Sequence, residues 1–226
     1  MLDAVLFDLD GTLIDSAAVT AAAIIETLAD FGCCVTLEQI QANGGRALRG
    51  WFTGDLDLAP DVAEAAYWRY VDTMTARAAI SSPMPGAGPL LEALQRRGVP
   101  MALVTNRLTR IVLPIIQAAG WSGYFTVIVG QETAARTKPA PDPALYALEA
   151  LGVPAGRAAL IGDSEAGIRC GASAGIGLLI GLADERVAPT LTEAGVTHIC
   201  RTLDEVRNIL LSMIAIASAP SRSRLP

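Results

Sequence analysis

The chain has 226 residues, 52% of them hydrophobic and 18% charged, with a formal net charge of −6. That length fits one domain, or a core with one insertion, and the apolar share is ample for a sizeable core. The negative balance argues against nucleic acid or an anionic membrane as partner, and no apolar run approaches the roughly 18 residues of a membrane span.

The opening Met1-Leu2-Asp3-Ala4-Val5 carries no basic stretch and does not read as a signal peptide. A soluble, cytoplasmic monomer or homodimer is expected. Cys33, Cys34, Cys170 and Cys200 form no CxxC pair and read as reduced, mostly buried thiols. His198 is the only histidine, which removes histidine triads and multi-histidine metal sites. Lys138 is the only lysine against sixteen arginines, so it calls for a specific explanation.

In chain order, the apolar run Ala4 to Phe7 predicts a buried strand that delivers Asp8 and Asp10 at its end. Side chains alternate along a strand, so the two acids share a face while Leu9 packs oppositely. Gly11 lets the backbone turn and approach a ligand. Residues 17 to 30 predict a helix with Ser16 as N-cap and Gly32 at its end. Thr36-Leu37-Glu38-Gln39 predicts a capped short helix. A loop at Asn43-Gly44-Gly45-Arg46 precedes a further helix from about Ala47, and Pro60-Asp61 starts another. No strand is predicted between Ser16 and Ser82. Trp51, Tyr67 and Trp68 are expected in the core of this helical stretch.

Ser81 to Gly86 breaks the pattern. Beyond it helices and strands alternate, with strands at 101–104, 126–130, 158–161, 178–180 and 197–200. Helices are expected at 87–97, 109–119, 142–151, up to about 174, and 203 to about 215, followed by a disordered tail from 219. Short apolar strands separated by helices predict a parallel sheet covered on both faces. Asp8/Asp10, Thr105/Asn106 and Asp163/Ser164 all fall at carboxyl ends of strands, so they should meet in one crevice.

Asp8 and Asp163 with a backbone carbonyl make a hard oxygen set suited to Mg²⁺. Thr105 and the amides after it suit a phosphate oxygen. Lys138, in the stiff run Thr137-Lys138-Pro139-Ala140-Pro141, supplies a compact positive charge. An aspartate can act as nucleophile toward phosphorus, given enough positive charge to offset repulsion from the phosphate dianion.

Four stretches, Asp8-Leu-Asp-Gly-Thr-Leu-Ile-Asp15-Ser, Thr105-Asn106, Lys138-Pro139 and Gly162-Asp163-Ser164, resemble the motifs of the haloacid dehalogenase-like hydrolase superfamily. Within it the chain is similar to the phosphoglycolate phosphatase-like branch. The resemblance implies an α/β fold with a Rossmann-like parallel core at 1–15 and 84–226. An all-helical cap, 16–83, would be inserted after the first strand. It implies Asp8 as nucleophile and Asp10 as general acid/base with its carbonyl on the metal. Gly11, Thr105, Asn106 and Lys138 would bind phosphate, and Asp163 would bind Mg²⁺ with Asp8 and Asp10. Gly45, Arg46 and Arg49 of the cap are candidates to contact the substrate, a small phosphorylated metabolite. One departure stands out: Gly162 and Gly167 occupy positions where relatives often carry a second acid, which leaves Glu165 or water to complete the metal's shell.

The expected activity is Mg²⁺-dependent hydrolysis of a small phosphomonoester through an aspartyl-phosphate. A sugar-phosphate mutase and a weakened phosphate-binding module are the alternatives. Asp10 argues against the dehalogenase branch. The absence of lysine from 16–83 excludes the phosphonate-cleaving branch. A calcium loop would need Gly and Glu where Leu13 and Val19 stand.

Overall fold

A computed structural model describes residues 2–43 and 47–214 of the chain. Strand β1 (Ala4–Phe7) is followed by a two-residue strand β2 (Ile14–Asp15), then by helices α1 (Ala17–Asp30), α2 (Leu37–Ala42), α3 (Leu48–Gly50) and α4 (Pro60–Ala76). A second two-residue strand, β3 (Ser82–Pro83), closes this helical insertion. Helix and strand then alternate: α5 (Ala87–Arg96), β4 (Met101–Val104), α6 (Thr109–Ala118), β5 (Val127–Val129), α7 (Asp142–Leu151), β6 (Ala158–Gly162), α8 (Glu165–Ser173), β7 (Leu178–Leu182), α9 (Ala188–Glu193), β8 (His198–Cys200) and α10 (Leu203–Met213).

The main sheet has the order β5-β4-β1-β6-β7-β8, and every pairing in it is parallel. All four residues of β1 are fully buried. Alternation along the strand divides the three larger ones between two cores. Val5 and Phe7 pack with Leu90, Leu94, Ile111 and Leu210 on one face. Leu6 packs with Ala144, Leu148 and Ile168 on the other. Both faces are therefore covered, which is why the strands read as continuous apolar runs.

The strand order reverses beside β1: the chain builds β4 and β5 on one side, then crosses back to β6 on the other. A crevice outside the carboxyl ends at such a reversal is where open α/β sheets bind ligands. Asp8 follows β1, Thr105 follows β4 and Asp163 follows β6, so the topology brings the expected residues to one edge.

The insertion has its own aromatic centre, where Phe52 stands edge-on to Trp51 at 5.9 Å and to Tyr67 at 6.1 Å. Its buried residues, including Ile24, Leu28, Tyr70 and Met74, belong to the same apolar cluster as Phe7 and Leu91 of the core. Among the described residues, 17–80 holds helices and no strand.

Two sequence expectations need correction, and two further features were not expected. The helix from about Ala47 is one turn that continues as a π-helical turn over Trp51–Asp55, because Gly50 and Gly54 withdraw helix propensity there. Ile14–Asp15 and Ser82–Pro83 form an antiparallel ribbon, too short to show any periodicity, where the chain leaves and re-enters the core. Helix α9 was not expected; it buries only Leu191 and has no repeating apolar face. Trp68 lies at the insertion's surface, its indole N–H donating to Glu64 Oε1 at 2.9 Å. The tail from 219 and residues Gly44, Gly45 and Arg46, two of them substrate candidates, lie outside the described residues.

Candidate active site

Asp8 is held from behind. Its backbone N–H donates to the Ile161 carbonyl at 2.9 Å, extending the β1–β6 ladder by one step. Asp8 Oδ1 accepts the Leu9 N–H at 2.8 Å, and Oδ2 stands 2.6 Å from Lys138 Nζ. The lysine side chain is 3% exposed and the carboxylate 9%. Charges so withdrawn from water persist only when paired and hydrogen-bonded, and Nζ also donates to the Val104 carbonyl at 3.1 Å. The chain's one lysine thus has its specific place, wedged between the ends of β1 and β4.

Asn106, expected at the phosphoryl group, engages the Lys138 peptide with its side chain. Its Oδ1 accepts the Lys138 N–H at 3.0 Å and its Nδ2 donates to the Lys138 carbonyl at 3.1 Å. A carboxamide matches a peptide's donor and acceptor in one plane, so it locks the lysine loop against β4. Thr105 is buried, and its hydroxyl accepts the Arg107 N–H at 3.2 Å.

Asp163 faces Asp8 from the end of β6. Its Oδ1 accepts the Thr12 hydroxyl at 3.2 Å. Burial, reinforced by the negative charge of Asp8, pushes the Asp163 carboxyl up to about 7. Gly11 turns with φ +70°, and a Cβ there would lie 1.9 Å from Asp163 Oδ2, so no other residue fits beneath this carboxylate.

Asp10 points to a different set of partners. Arg107 Nε donates to its Oδ2 at 2.6 Å, and the Ser16 hydroxyl donates to its Oδ1. Burial raises the Asp10 carboxyl, but the Arg107 charge and the two hydrogen bonds outweigh it and hold the group below the usual carboxylate range. Ser16 does not make the expected cap bond to α1. A nearby carboxylate is the stronger acceptor for its hydroxyl.

The expected three-residue metal set is narrower in side chains. Among the described residues, no three or more His, Cys, Asp or Glu side chains gather where one ion could be held. Asp8 and Asp163 converge, whereas the Asp10 side chain is engaged by Arg107. Gly167 and Gly162 do face this place: a Cβ at 167 would stand 3.3 Å from Asp8 Oδ2, and one at 162 would stand 4.0 Å from it. Glu165, half exposed and lining the crevice, pairs with Arg169 at 2.6 Å within α8.

A crevice of about 740 Å³ separates these residues from the insertion, lined on the far side by Ile24, Ile40, Tyr67 and Tyr70. Tyr67, expected only as insertion core, is buried and also lines the crevice; its hydroxyl donates to Gln131 Oε1 at 3.0 Å, and burial pushes its phenol up to about 12. Arg49, the described substrate candidate of the insertion, is not among the lining residues. Glu64 draws it outward into an ion pair at 2.6 Å. Arg136 pairs with Asp142 at the surface, and His198 is exposed beside Thr197. Cys33 and Cys34 are not buried, unlike Cys170 and Cys200. Sequence reasoning missed Arg107, Thr12 and Gln131. Arg107 directly follows Thr105-Asn106, a position that marks it only once the crevice is known.

A buried acid paired with a buried lysine, and a second acid opposite, stand at the reversal point of a parallel sheet with a helical insertion after its first strand. These features agree with the sequence model of the haloacid dehalogenase-like hydrolase family, which matches residues 2–175. The chain belongs to that family. Phosphoglycolate phosphatase 1 of Pseudomonas aeruginosa is 30% identical over 97% of this chain and 86% of its own length. The phosphoglycolate phosphatase of Aquifex aeolicus is 35% identical over 76% of this chain and 80% of its own. Among solved structures, CbbY of Rhodobacter sphaeroides in complex with phosphate superposes with a TM-score of 0.77 at 26% identity, covering 91% of this chain and 96% of that one.

Proposed function

We propose that this phosphoric monoester hydrolase is a Mg²⁺-dependent phosphatase that hydrolyses a small phosphomonoester through an aspartyl-phosphate on Asp8. The observation that carries the reading is the buried Asp8–Lys138 pair at 2.6 Å, opposite Asp163, at the mouth of the crevice. A carboxylate so placed can attack an electrophile that is itself negatively charged, because the lysine offsets the repulsion. The relatives named phosphoglycolate phosphatase make phosphoglycolate the first substrate to try. The crevice volume suits a small metabolite.

The donor set fits magnesium. Two carboxylates converge with hard oxygens, and burial together with the charge of Asp8 raises Asp163; Mg²⁺ commonly takes one or two carboxylates and keeps several waters. Asp8, Asp163 and the Asp10 carbonyl would hold the ion, which would supply positive charge to the phosphoryl oxygens. Asp8 attacks phosphorus and the ester P–O bond breaks; Asp10, kept ionised at rest by Arg107 and Ser16, takes a proton from solvent and relays it to the leaving oxygen. Water then attacks the acyl phosphate and the bond to Asp8 breaks. Phosphate leaves, and Asp10 takes the water's proton. Lys138 holds the phosphoryl group beside Asp8, Thr105 and Asn106 border it, and Gly11 leaves room for it. The helical insertion acts as a cap over the bound substrate.

Release of p-nitrophenol from p-nitrophenyl phosphate, with and without Mg²⁺, tests this against Asp8→Asn. The reading fails if no magnesium-dependent release exceeds that of the variant, an outcome that would favour a phosphate-binding module. A panel of phosphoglycolate, sugar phosphates and nucleotides then ranks substrates.

A further inference from the structure

Arg107 has no hydrogen bond to Asp8 or Asp163, yet its side chain is only 9% exposed. Its guanidinium is divided among partners. Nε donates to Asp10 Oδ2 at 2.6 Å and Nη2 donates to Thr20 Oγ1, on α1 of the insertion, at 2.7 Å. Nη1 is buried without a hydrogen-bond partner among the described residues. The Arg107 backbone is fixed as well. Its N–H donates to Thr105 Oγ1, and its carbonyl accepts the Gln131 N–H at 2.8 Å. Gln131 in turn accepts the Tyr67 hydroxyl from α4. Two helices of the insertion therefore reach the loop after β4.

The other support of Asp10 leads to the same helix. Ser16, which donates to Asp10 Oδ1, immediately precedes α1, and its carbonyl accepts the Thr20 N–H at 2.9 Å. Both oxygens of Asp10 are thus held by groups tied to the first turn of α1. An ion pair that merely fastened the insertion could sit at the rim, as Arg110–Asp72 does at 2.6 Å. Arg107 instead places the fastening on Asp10 itself.

We propose that Arg107 is a positioning residue that couples the seating of the insertion to the placement of Asp10. A guanidinium is a planar fork, so fixing Nη2 on Thr20 fixes where Nε points. When the insertion lifts, Thr20 and Ser16 leave together and Asp10 loses its aim. The role of Asp10 rests on the phosphatase reading; the coupling itself does not. Coupling of this kind is reciprocal, so disturbing Asp10 must also loosen α1.

The test is a double-mutant cycle on p-nitrophenyl phosphate with saturating Mg²⁺. Thr20→Val is expected to lower kcat about tenfold with KM changed by less than about twofold, and Thr20→Ser, which keeps the hydroxyl, to restore it. Arg107→Lys, which keeps the charge and loses the fork, is expected to lose at least as much. The double variant should be no worse than Arg107→Lys alone. Losses that multiply, or an unchanged kcat in Thr20→Val, overturn the proposal. A second arm needs no turnover: in metal-free protein, Asp10→Asn should speed amide exchange in α1 but not in α10, and should add nothing in the Arg107→Lys background. If the wild-type chain releases no p-nitrophenol, the phosphatase reading falls and this arm alone decides the coupling. Unchanged α1 protection in Asp10→Asn then overturns it.

Discussion

Gly167→Asp would put a third carboxylate beside Asp8 and Asp163. A Cβ at 167 lies 3.3 Å from Asp8 Oδ2, and the carboxylate one bond beyond would leave charge centres about 5 Å apart. At an effective dielectric constant of about 20, two like charges at that distance repel by roughly 3 kcal/mol. For a chain of this size each kcal/mol moves the melting temperature by about 2–4 °C, so the metal-free variant should melt about 6–12 °C below wild type. Magnesium reverses the sign: the charge that repels its neighbours attracts the ion, and a gain of only half that energy is about tenfold in affinity. Thermal unfolding in chelator and in Mg²⁺, with calorimetric titration of the metal, measures both effects. An unchanged melting temperature in chelator together with an unchanged affinity would refute the placement of residue 167 at the acid cluster.

Lys138→Met leaves the Asp8 carboxylate buried and unpaired, and should cost about 3–5 kcal/mol in urea denaturation; adding Asp8→Leu should recover most of that loss, and failure to recover would mean the lysine's role is packing rather than charge. Gly11→Ala must pay about 1–2 kcal/mol for its left-handed backbone and displace Asp163, so Mg²⁺ affinity should fall more than tenfold; an unaltered affinity would show that Asp163 does not hold the metal. Glu165→Gln should leave Mg²⁺ affinity within about twofold and cost only about 0.3–0.5 kcal/mol from the lost helix pair. A larger fall in affinity would show that the glutamate leaves Arg169 for the ion.

The central features were legible because they follow from simple patterns. β1 is a short apolar run ending in two acids, and the same design at β4 and β6 brought Thr105 and Asp163 to one edge. Lys138 stood out through rarity alone. Arg107 did not, for the opposite reason: one arginine among sixteen carries no signal, and its partners lie 97 and 87 residues away. Ser16 was misread because a hydroxyl before a helix looks the same whether it caps the helix or turns to a carboxylate. Arg49 was drawn toward the crevice by its neighbourhood in sequence, while Glu64, one helix further on, pairs with it outside. Long-range partners of polar side chains decided these cases, and hydrophobic periodicity does not record them.

The solitary lysine also gives the molecule a single chemical address. Lys138 bears the chain's one ε-amino group, and that group lies 3% exposed against Asp8. An acylating reagent selective for ε-amines therefore has one target and meets it only when the crevice opens and the carboxylate lets go. Its initial rate of reaction, read as an added mass on the peptide around Pro139, scales with the open population. A phosphate analogue seated against Asp8 would shield the same atom, so occupancy of the crevice becomes a quantity that can be weighed.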